Sequence, residues 1–268
     1  MDKWDPSGVI TITTDFGHKG PFAAVMQGAI VKRFPTARII DLAHDIPAHW
    51  PPEAGFWLSR SYSYFPSGTV HIAIVDPGVG TERDILLALK DGHLFMAPDN
   101  GLLAPLLESA DKIGKLNAHA AESIGAGEPS LTFHGRDIFA PIAAELAAGK
   151  ITFADIATEI DNWAPGWIDD PSKAGGRVSG IVVTVDAFGN LITNIDASLL
   201  QDFEKPSVSI AGQVIEMKPT YGRVRPGEYL ALINSFAVLE IARSEESAAQ
   251  GLGCERGAPV VVRENPVI

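Results

Sequence analysis

Four aspartates mark where this chain could do chemistry. Asp15, Asp41, Asp76 and Asp99 each fall at or just past the end of a segment that reads as a β-strand, and three of them are followed by glycine within two residues. In open α/β sheets, ligands bind outside the carboxyl ends of the strands, so a carboxylate there meets a ligand instead of the core. Aspartate also favours turns and helix caps, which would account for any one of them alone; four in series point to a site. The most loaded run is Asp76-Pro77-Gly78-Val79-Gly80-Thr81-Glu82-Arg83. Its glycines permit a tight turn and close backbone approach. Asp76 and Arg83 stand seven residues apart across it, placed to fold back into a charge pair. His134, in Thr132-Phe133-His134-Gly135-Arg136-Asp137, is a loop imidazole able to titrate near neutrality. Asp137 is the expected cap of the helix that follows.

Other chemistries lack their residues. There is no GxGxxG and no GxxxxGK[ST], so dinucleotide and P-loop readings fail. His44 and His49 are separated by Pro47 and form no HExxH pair, and no set of residues specifies a metal site. No GxSxG elbow occurs, and the single cysteine, Cys254, allows neither an intrachain disulfide nor a cysteine zinc cluster. Later in the chain, Asn190 closes the turn Asp186-Ala187-Phe188-Gly189-Asn190; its amide could pair with the edge of a base or serve a plain turn. Tyr221 is a stacking face or ordinary packing. Asn234-Ser235 is a polar site loop or a tight turn, and Trp50, before Pro51, is a ring platform or a helix-start anchor.

The elements that must position these residues alternate over the first two thirds. Val9–Thr14 reads as a buried strand. Phe22, Val25, Met26, Ala29 and Ile30 follow at helical spacing, with Pro21 suited to the first turn. Arg38–Leu42 and Thr69–Val75 are further strands, and a helix runs from Pro51 through Tyr62. Ile85–Leu89 and Leu94–Ala97 form a hairpin across Asp91-Gly92. Leu102–Leu107 is a short helix, and Ile138–Ala148 is a longer one ended by Gly149. Residues 162–176, with two prolines and a glycine pair, read as a linker. After it come Val178–Val185, Leu191–Ile195, Val208–Met217, Tyr229–Ile233, Val238–Ala242 and Val260–Arg263, all strand-like. The expected organisation is an α/β domain with a mostly parallel sheet over 1–161, the linker 162–176, and a small all-β, barrel-like domain over 177–268.

Composition sets the outer bounds. With 268 residues, 46% of them hydrophobic, the chain can bury a core and is not disordered as a whole. The charge of 21 − 33 = −12 argues against phosphate-backbone binding, so no nucleic-acid partner is expected. No apolar run approaches the roughly 20 residues of a membrane span. The start MDKWDPSG is not that of a signal peptide. The expected location is the cytoplasm.

With these segments in view, the chain resembles the S-adenosylmethionine (SAM) hydroxide adenosyltransferases, the SAM hydrolases related to fluorinase and chlorinase. The resemblance covers essentially the whole chain. TTDFG at Thr13–Gly17, FPSGTVHIAIVDPGVGTER ending at Arg83, APDNG at Ala97–Gly101, TFHGRDIFAP at Thr132–Pro141, FGNLITNI from Phe188 and INSFAVLEIA from Ile233 carry it. It implies a homotrimer whose sites lie between the α/β domain of one subunit and the β domain of the next, with SAM as substrate and no cofactor or metal. By that resemblance the reactive trio is Asp76, Arg83 and His134. Asp15, beside Phe16, holds the ribose diol, and Asn190 lies near adenine, with Phe188 and Tyr221 as ring neighbours. Ser235 and Glu240 line the nucleoside pocket, which Trp50 and Asp186 also reach. Gly20 stands where relatives place an acid that could contact the methionine amino group. The implied reaction is attack of water or hydroxide on the 5′ carbon of SAM, giving adenosine and L-methionine. The base is His134 or Asp76; the family's activity can favour the (R)-sulfonium epimer, and the sequence leaves the preferred epimer open. The rival readings are a halogenase and a non-catalytic adenosine or SAM sensor.

Overall fold

In the computed structural model, which describes residues 4–117, 119–125 and 127–264, the chain divides into a unit ending at Trp167 and a unit beginning at Ile168.

The first unit is built on a seven-stranded mixed sheet. Its strands are β1 (Val9–Thr14), β2 (Arg38–Ala43), β3 (Val70–Ile74), β4 (Ile85–Lys90), β5 (His93–Pro98), β6 (Lys112–Leu116) and β7 (Ala157–Glu159), in the spatial order β2-β1-β3-β5-β4-β6-β7. β2, β1, β3 and β5 run parallel, and β4, β6 and β7 pair antiparallel. Strand periodicity sends alternate side chains to opposite faces. Ile10, Ile12, Ile72 and Ile74 pack with Met26 and Ile30 of α1 (Phe22–Arg33) and the helix Ala140–Ala147. Ala73, Val75, Leu86 and Phe95 face Ala54 and Leu58 of α2 (Pro51–Ser61). Each fully buried large apolar side chain, such as Phe95 or Phe139, contributes about 1.5–3 kcal/mol.

Three short helices join the sheet: α3 (Ala104–Leu107), α4 (Ala120–Ser123) and α6 (Phe153–Ile156). The long helix differs from expectation at its start. A π-helical turn, Gly135–Phe139, leads into α5 (Ala140–Ala147), so helical structure begins beside His134 and not at Ile138. Asp137 caps neither element. Its carboxylate accepts the Ser130 N–H at 2.9 Å and the Arg136 Nε at 2.5 Å. Those bonds, led by Arg136, hold it down at a pKa of about 2. Strands β6 and β7 were not expected; both are short and carry polar residues at their edges.

The second unit is an antiparallel, nearly closed barrel-like sheet in the order β12-β11-β15-β9-β10-β14-β13. Its strands are β8 (Ser172–Ala174), β9 (Arg177–Val185), β10 (Leu191–Asp196), β11 (Pro206–Ile210), β12 (Gln213–Glu216), β13 (Tyr229–Ile233), β14 (Val238–Arg243) and β15 (Pro259–Glu264), with α7 (Ala248–Leu252) before the last. Met217 bridges to Ala231 and brings the β12 end toward β13. Val178, Val182, Leu191, Leu239, Ile241 and Val260 fill its core. The single strand expected over 208–217 is a hairpin, turning at Ala211 and Gly212, both at positive φ (49° and 74°). β8 pairs with β9, so part of the stretch read as linker is ordered as strand.

Candidate active site

The carboxyl end of β3 runs directly into the Asp76–Arg83 loop, and the sequence closes that loop on itself. Arg83 Nε donates to both Asp76 oxygens at 2.9 Å, and its Nη2 donates to Oδ2 as well. The two side chains are 5% and 10% exposed, a setting in which a charge-assisted fork is much stronger than on the surface. The same Nη2 lies 3.0 Å from His134 Nδ1. Gly80 makes this meeting possible: at φ +78°, a Cβ there would stand 2.2 Å from the Leu131 carbonyl oxygen. The loop therefore lies flat against the segment that carries His134.

The contact fixes a tautomer. A guanidinium has only donors, so Nδ1 must accept, and a neutral His134 then carries its proton on Nε2. Burial, and next the nearby Arg83 charge, hold the His134 pKa below its ordinary value. The ring is therefore neutral near pH 7.

Asp15 sits just past β1, one strand over. Its Oδ2 accepts the His49 backbone N–H at 3.1 Å, and His49 is held at φ +61°, an uncommon conformation for a side-chain-bearing residue. Beneath Asp15, Thr14 Oγ1 accepts the Phe16 N–H at 3.2 Å and bonds His44 Nδ1 at 2.8 Å. His44 Nε2 is 2.9 Å from Asp41 Oδ1, in contact but outside hydrogen-bond alignment. Gln27 Nε2 donates to both Asp41 oxygens at 2.8 and 2.9 Å. Phe16 packs edge-on against Phe133, the residue before His134. Trp50 meets Trp167 edge to face at 5.7 Å. A Cβ at Gly20 would lie 2.8 Å from the Phe22 ring, so the acid of relatives would require that ring to move.

Of the two remaining strand-end acids, Asp41 thus belongs to the support of the Asp15 loop. Asp99 accepts the Ala164 N–H at 2.8 Å, and neighbouring Asn100 donates its side-chain amide to the Val75 carbonyl at 2.8 Å, immediately before Asp76. The spacing of strand ends pointed to Asp41; nothing in the sequence pointed to Gln27, whose role depends on α1 lying over β2.

In the second unit, the residues singled out form two linked groups. Asp186 Oδ1 accepts the Phe188 and Asn190 N–H groups at 2.9 and 2.8 Å, and Oδ2 accepts Asn190 Nδ2 at 3.0 Å. That bond settles which end of the Asn190 amide is engaged. Buried Glu240 accepts the Tyr221 hydroxyl at 2.6 Å and Asn234 Nδ2 at 3.2 Å. Burial is the main cause of its raised pKa, and burial with Glu240 beside it raises Tyr221. Ser235 lies in the β13–β14 turn, closed by the Ala237 N–H on the Asn234 carbonyl at 3.0 Å. Phe188 is 80% exposed, an aromatic face held out from the turn. Asn234 was expected only as part of a loop; its bond to Glu240 makes it part of this cluster.

Among the described residues, no group of three or more His, Cys, Asp or Glu could hold a metal ion. No described helix is long and apolar enough to cross a membrane.

Comparison with known proteins gives a single answer. Residues 10–157 match the SAM hydroxide adenosyltransferase N-terminal domain, and residues 180–261 match its C-terminal domain. A Salinispora tropica protein named (R)-S-adenosyl-L-methionine hydrolase is 36% identical over 94% of this chain and 96% of its own length. A fluorinase from an Actinoplanes species is 26% identical over 95% of this chain and 97% of its own. The crystal structure of an uncharacterized conserved protein from Thermotoga maritima superimposes with a TM-score of 0.87 at 31% identity, covering 95% of this chain and 100% of that one.

Proposed function

The chain belongs to the SAM hydroxide adenosyltransferase family, and from that membership we propose that it is a SAM hydrolase, releasing adenosine and L-methionine by attack of water at the ribose 5′ carbon. The observation that carries this reading is the closed Asp76–Arg83–His134 set at the carboxyl end of β3. Asp15 takes the ribose diol and fixes the 5′ carbon, which is proximity work. Asn190 reads the adenine edge, oriented by Asp186, between the ring faces of Phe188 and Tyr221. Ser235 and Glu240 complete the nucleoside pocket, with Phe16 and Trp50 at its margin.

Methionine leaves as a neutral thioether, so its departure needs no acid. The nucleophile is the difficulty. With Nδ1 engaged by Arg83, His134 offers an Nε2–H and not a lone pair. The proton acceptor is therefore Asp76, while His134 and Arg83 hold and stabilise the developing hydroxide charge. The step requires no metal or other cofactor. A charged pocket suits water better than a halide, which must shed its hydration shell; the expected 5′-chloro-5′-deoxyadenosine in high chloride is none, read by mass spectrometry.

The test is direct: SAM resolved into its sulfonium epimers, chelator-treated protein, and chromatography of the products. Adenosine and methionine, formed faster from the (R) epimer, are the expected outcome. Binding without turnover would leave a sensor, and activity restored only by a divalent ion would overturn the metal-free step.

The protein acts in the cytoplasm as a homotrimer, with each site shared between the α/β unit of one subunit and the β unit of the next. Head-to-tail contacts of this kind close into rings. His134→Ala and Asn190→Ala homotrimers should each be inactive, and reassembling them together should restore part of the activity. Mixed trimers confirmed by mass spectrometry with no recovered activity would place the site within one subunit.

A further inference from the structure

A cavity of about 550 Å³ opens beside the trio, walled by Arg83 and His134. Its floor is apolar, from Ile85, Leu116 and Ile138, and Asn117 and Glu128 stand at its polar side. Water occupies about 30 Å³ per molecule in the liquid, so the space holds a cluster of waters and not a single one. Its place in the sheet gives it meaning. Along the edge that carries the site, the order is β1, β3, β5, β4, β6. Asp15 follows β1 and Asp76 follows β3, whereas Ile85 opens β4 and Leu116 closes β6. The trio thus lies between the ribose-holding aspartate and the cavity.

We propose that this cavity is the water inlet of the hydrolase, a port for the second substrate that is separate from the opening through which SAM is taken up. The proposal rests on the SAM hydrolase reading. Substitution at a saturated carbon is in line: water must approach the 5′ carbon from the side opposite the sulfur. Bound SAM covers the nucleoside side, so the nucleophile comes from behind the trio, where the cavity is. The oxygen–C5′ bond forms as the C5′–sulfur bond breaks, the electron pair stays on the neutral thioether, and the water proton passes to Asp76 and then to solvent.

The experiment narrows the inlet reversibly. Glu128, exposed and on the cavity wall, is replaced by Glu128→Cys in a Cys254→Ser background, and the thiol is capped by methanethiosulfonates carrying a methyl, propyl or benzyl group. Turnover should fall stepwise with the size of the cap, with most of it lost at benzyl. Adenosine affinity by calorimetry should hold, and reduction should restore activity. Pro129→Cys, on the same wall, serves if the first variant is inactive before capping. Full capping at both positions without loss of turnover overturns the inlet. Loss of adenosine binding in step with turnover shows instead that the cavity belongs to the nucleoside opening. Unmodified wild-type protein that fails to hydrolyse SAM overturns the functional reading itself.

Discussion

Thr11 and Thr14 lie three residues apart on β1, and each bonds the Nδ1 of a buried imidazole, His71 at 2.7 Å and His44 at 2.8 Å. The two pairs are alike in composition and differ in everything around them. The His71 Nε2 continues to His93 Nδ1 at 3.1 Å, its ring stacks on Phe95 at 4.9 Å, and the Tyr62 ring covers His93. Burial, then the neighbouring His93, drives the His71 pKa down to about 3. The His44 ring instead reaches a half-exposed carboxylate, Asp41, and its threonine holds the loop that bears Asp15. A Thr–His pair inside the sheet is a neutral polar link in the core; the same pair at the carboxyl edge anchors a loop that needs a fixed shape. Position along the strand, more than residue type, decides which.

The sharpest way to break that distinction is to separate turnover from stability. Asp76→Ala should lower turnover per folded molecule about 10²–10⁴-fold, the scale of a lost proton acceptor, with adenosine affinity little changed, and should lower the melting temperature as well because the buried Arg83 loses its carboxylate. His134→Ala, which removes a donor to the developing hydroxide and not the proton acceptor, should lower turnover about 10²–10³-fold. The acid limb of kcat/KM should lie below pH 6.5, because protonating Nδ1 would set two donors against each other and the folded environment lowers the His134 pKa. An acid limb above that value would contradict the assigned tautomer.

The core pair should show the converse. His71→Phe strands the Thr11 hydroxyl and His93 Nδ1, costing about 1–3 kcal/mol at neutral pH, and should spare turnover per folded molecule. The sign of the pH effect follows from linkage. His71 is neutral in the fold down to about pH 3, whereas an unfolded imidazole titrates near 6.5. Stability is therefore complete above about pH 6.5 and declines as the pH falls toward 3. In His71→Phe that decline should be shallower, as read by thermal melts between pH 7 and 4. An equal slope in both proteins would place the acid sensitivity elsewhere, with His93 and Asp91, which face each other beside Tyr62, as the groups to test next.

How much of this was legible in the sequence follows from which contacts are local. The Asp76–Arg83 pair could be anticipated because seven residues and two glycines suffice to close it. The α/β alternation and the hairpin at Asp91-Gly92 were legible because strand and helix periods differ and that turn needs positive φ, found at both residues (51° and 75°). The Val208–Met217 hairpin was hidden because Ala211-Gly212 interrupts a continuously strand-like run without the usual Asn or Asp. The roles of His44 and Gln27 were hidden for a different reason. His44 shows no metal spacing, and its partners Thr14 and Asp41 come together only once β1 and β2 are paired. The trio needed the loop contact at Gly80 and Leu131, which no spacing encodes.

The smallest expected effect tests whether His44 is an anchor at all. Removing its ring nitrogens in His44→Phe keeps the volume and takes away the Thr14 partner. One hydrogen bond contributes about 0.5–1.5 kcal/mol net, so adenosine affinity should weaken by about 2- to 12-fold, because Asp15 then spends part of its time out of register with the ribose. The rate constant for bound substrate should change less, since Asp76, Arg83 and His134 are held by their own contacts. His44→Gln, which restores a hydrogen-bonding group at that place, should recover part of the affinity. A core role would give a different result: the melting temperature would drop by the larger margin expected for His71→Phe, and affinity would follow only through unfolding. An affinity loss in His44→Phe, partly recovered in His44→Gln, with a fall in melting temperature smaller than that of His71→Phe, is therefore the outcome that keeps the two histidines apart.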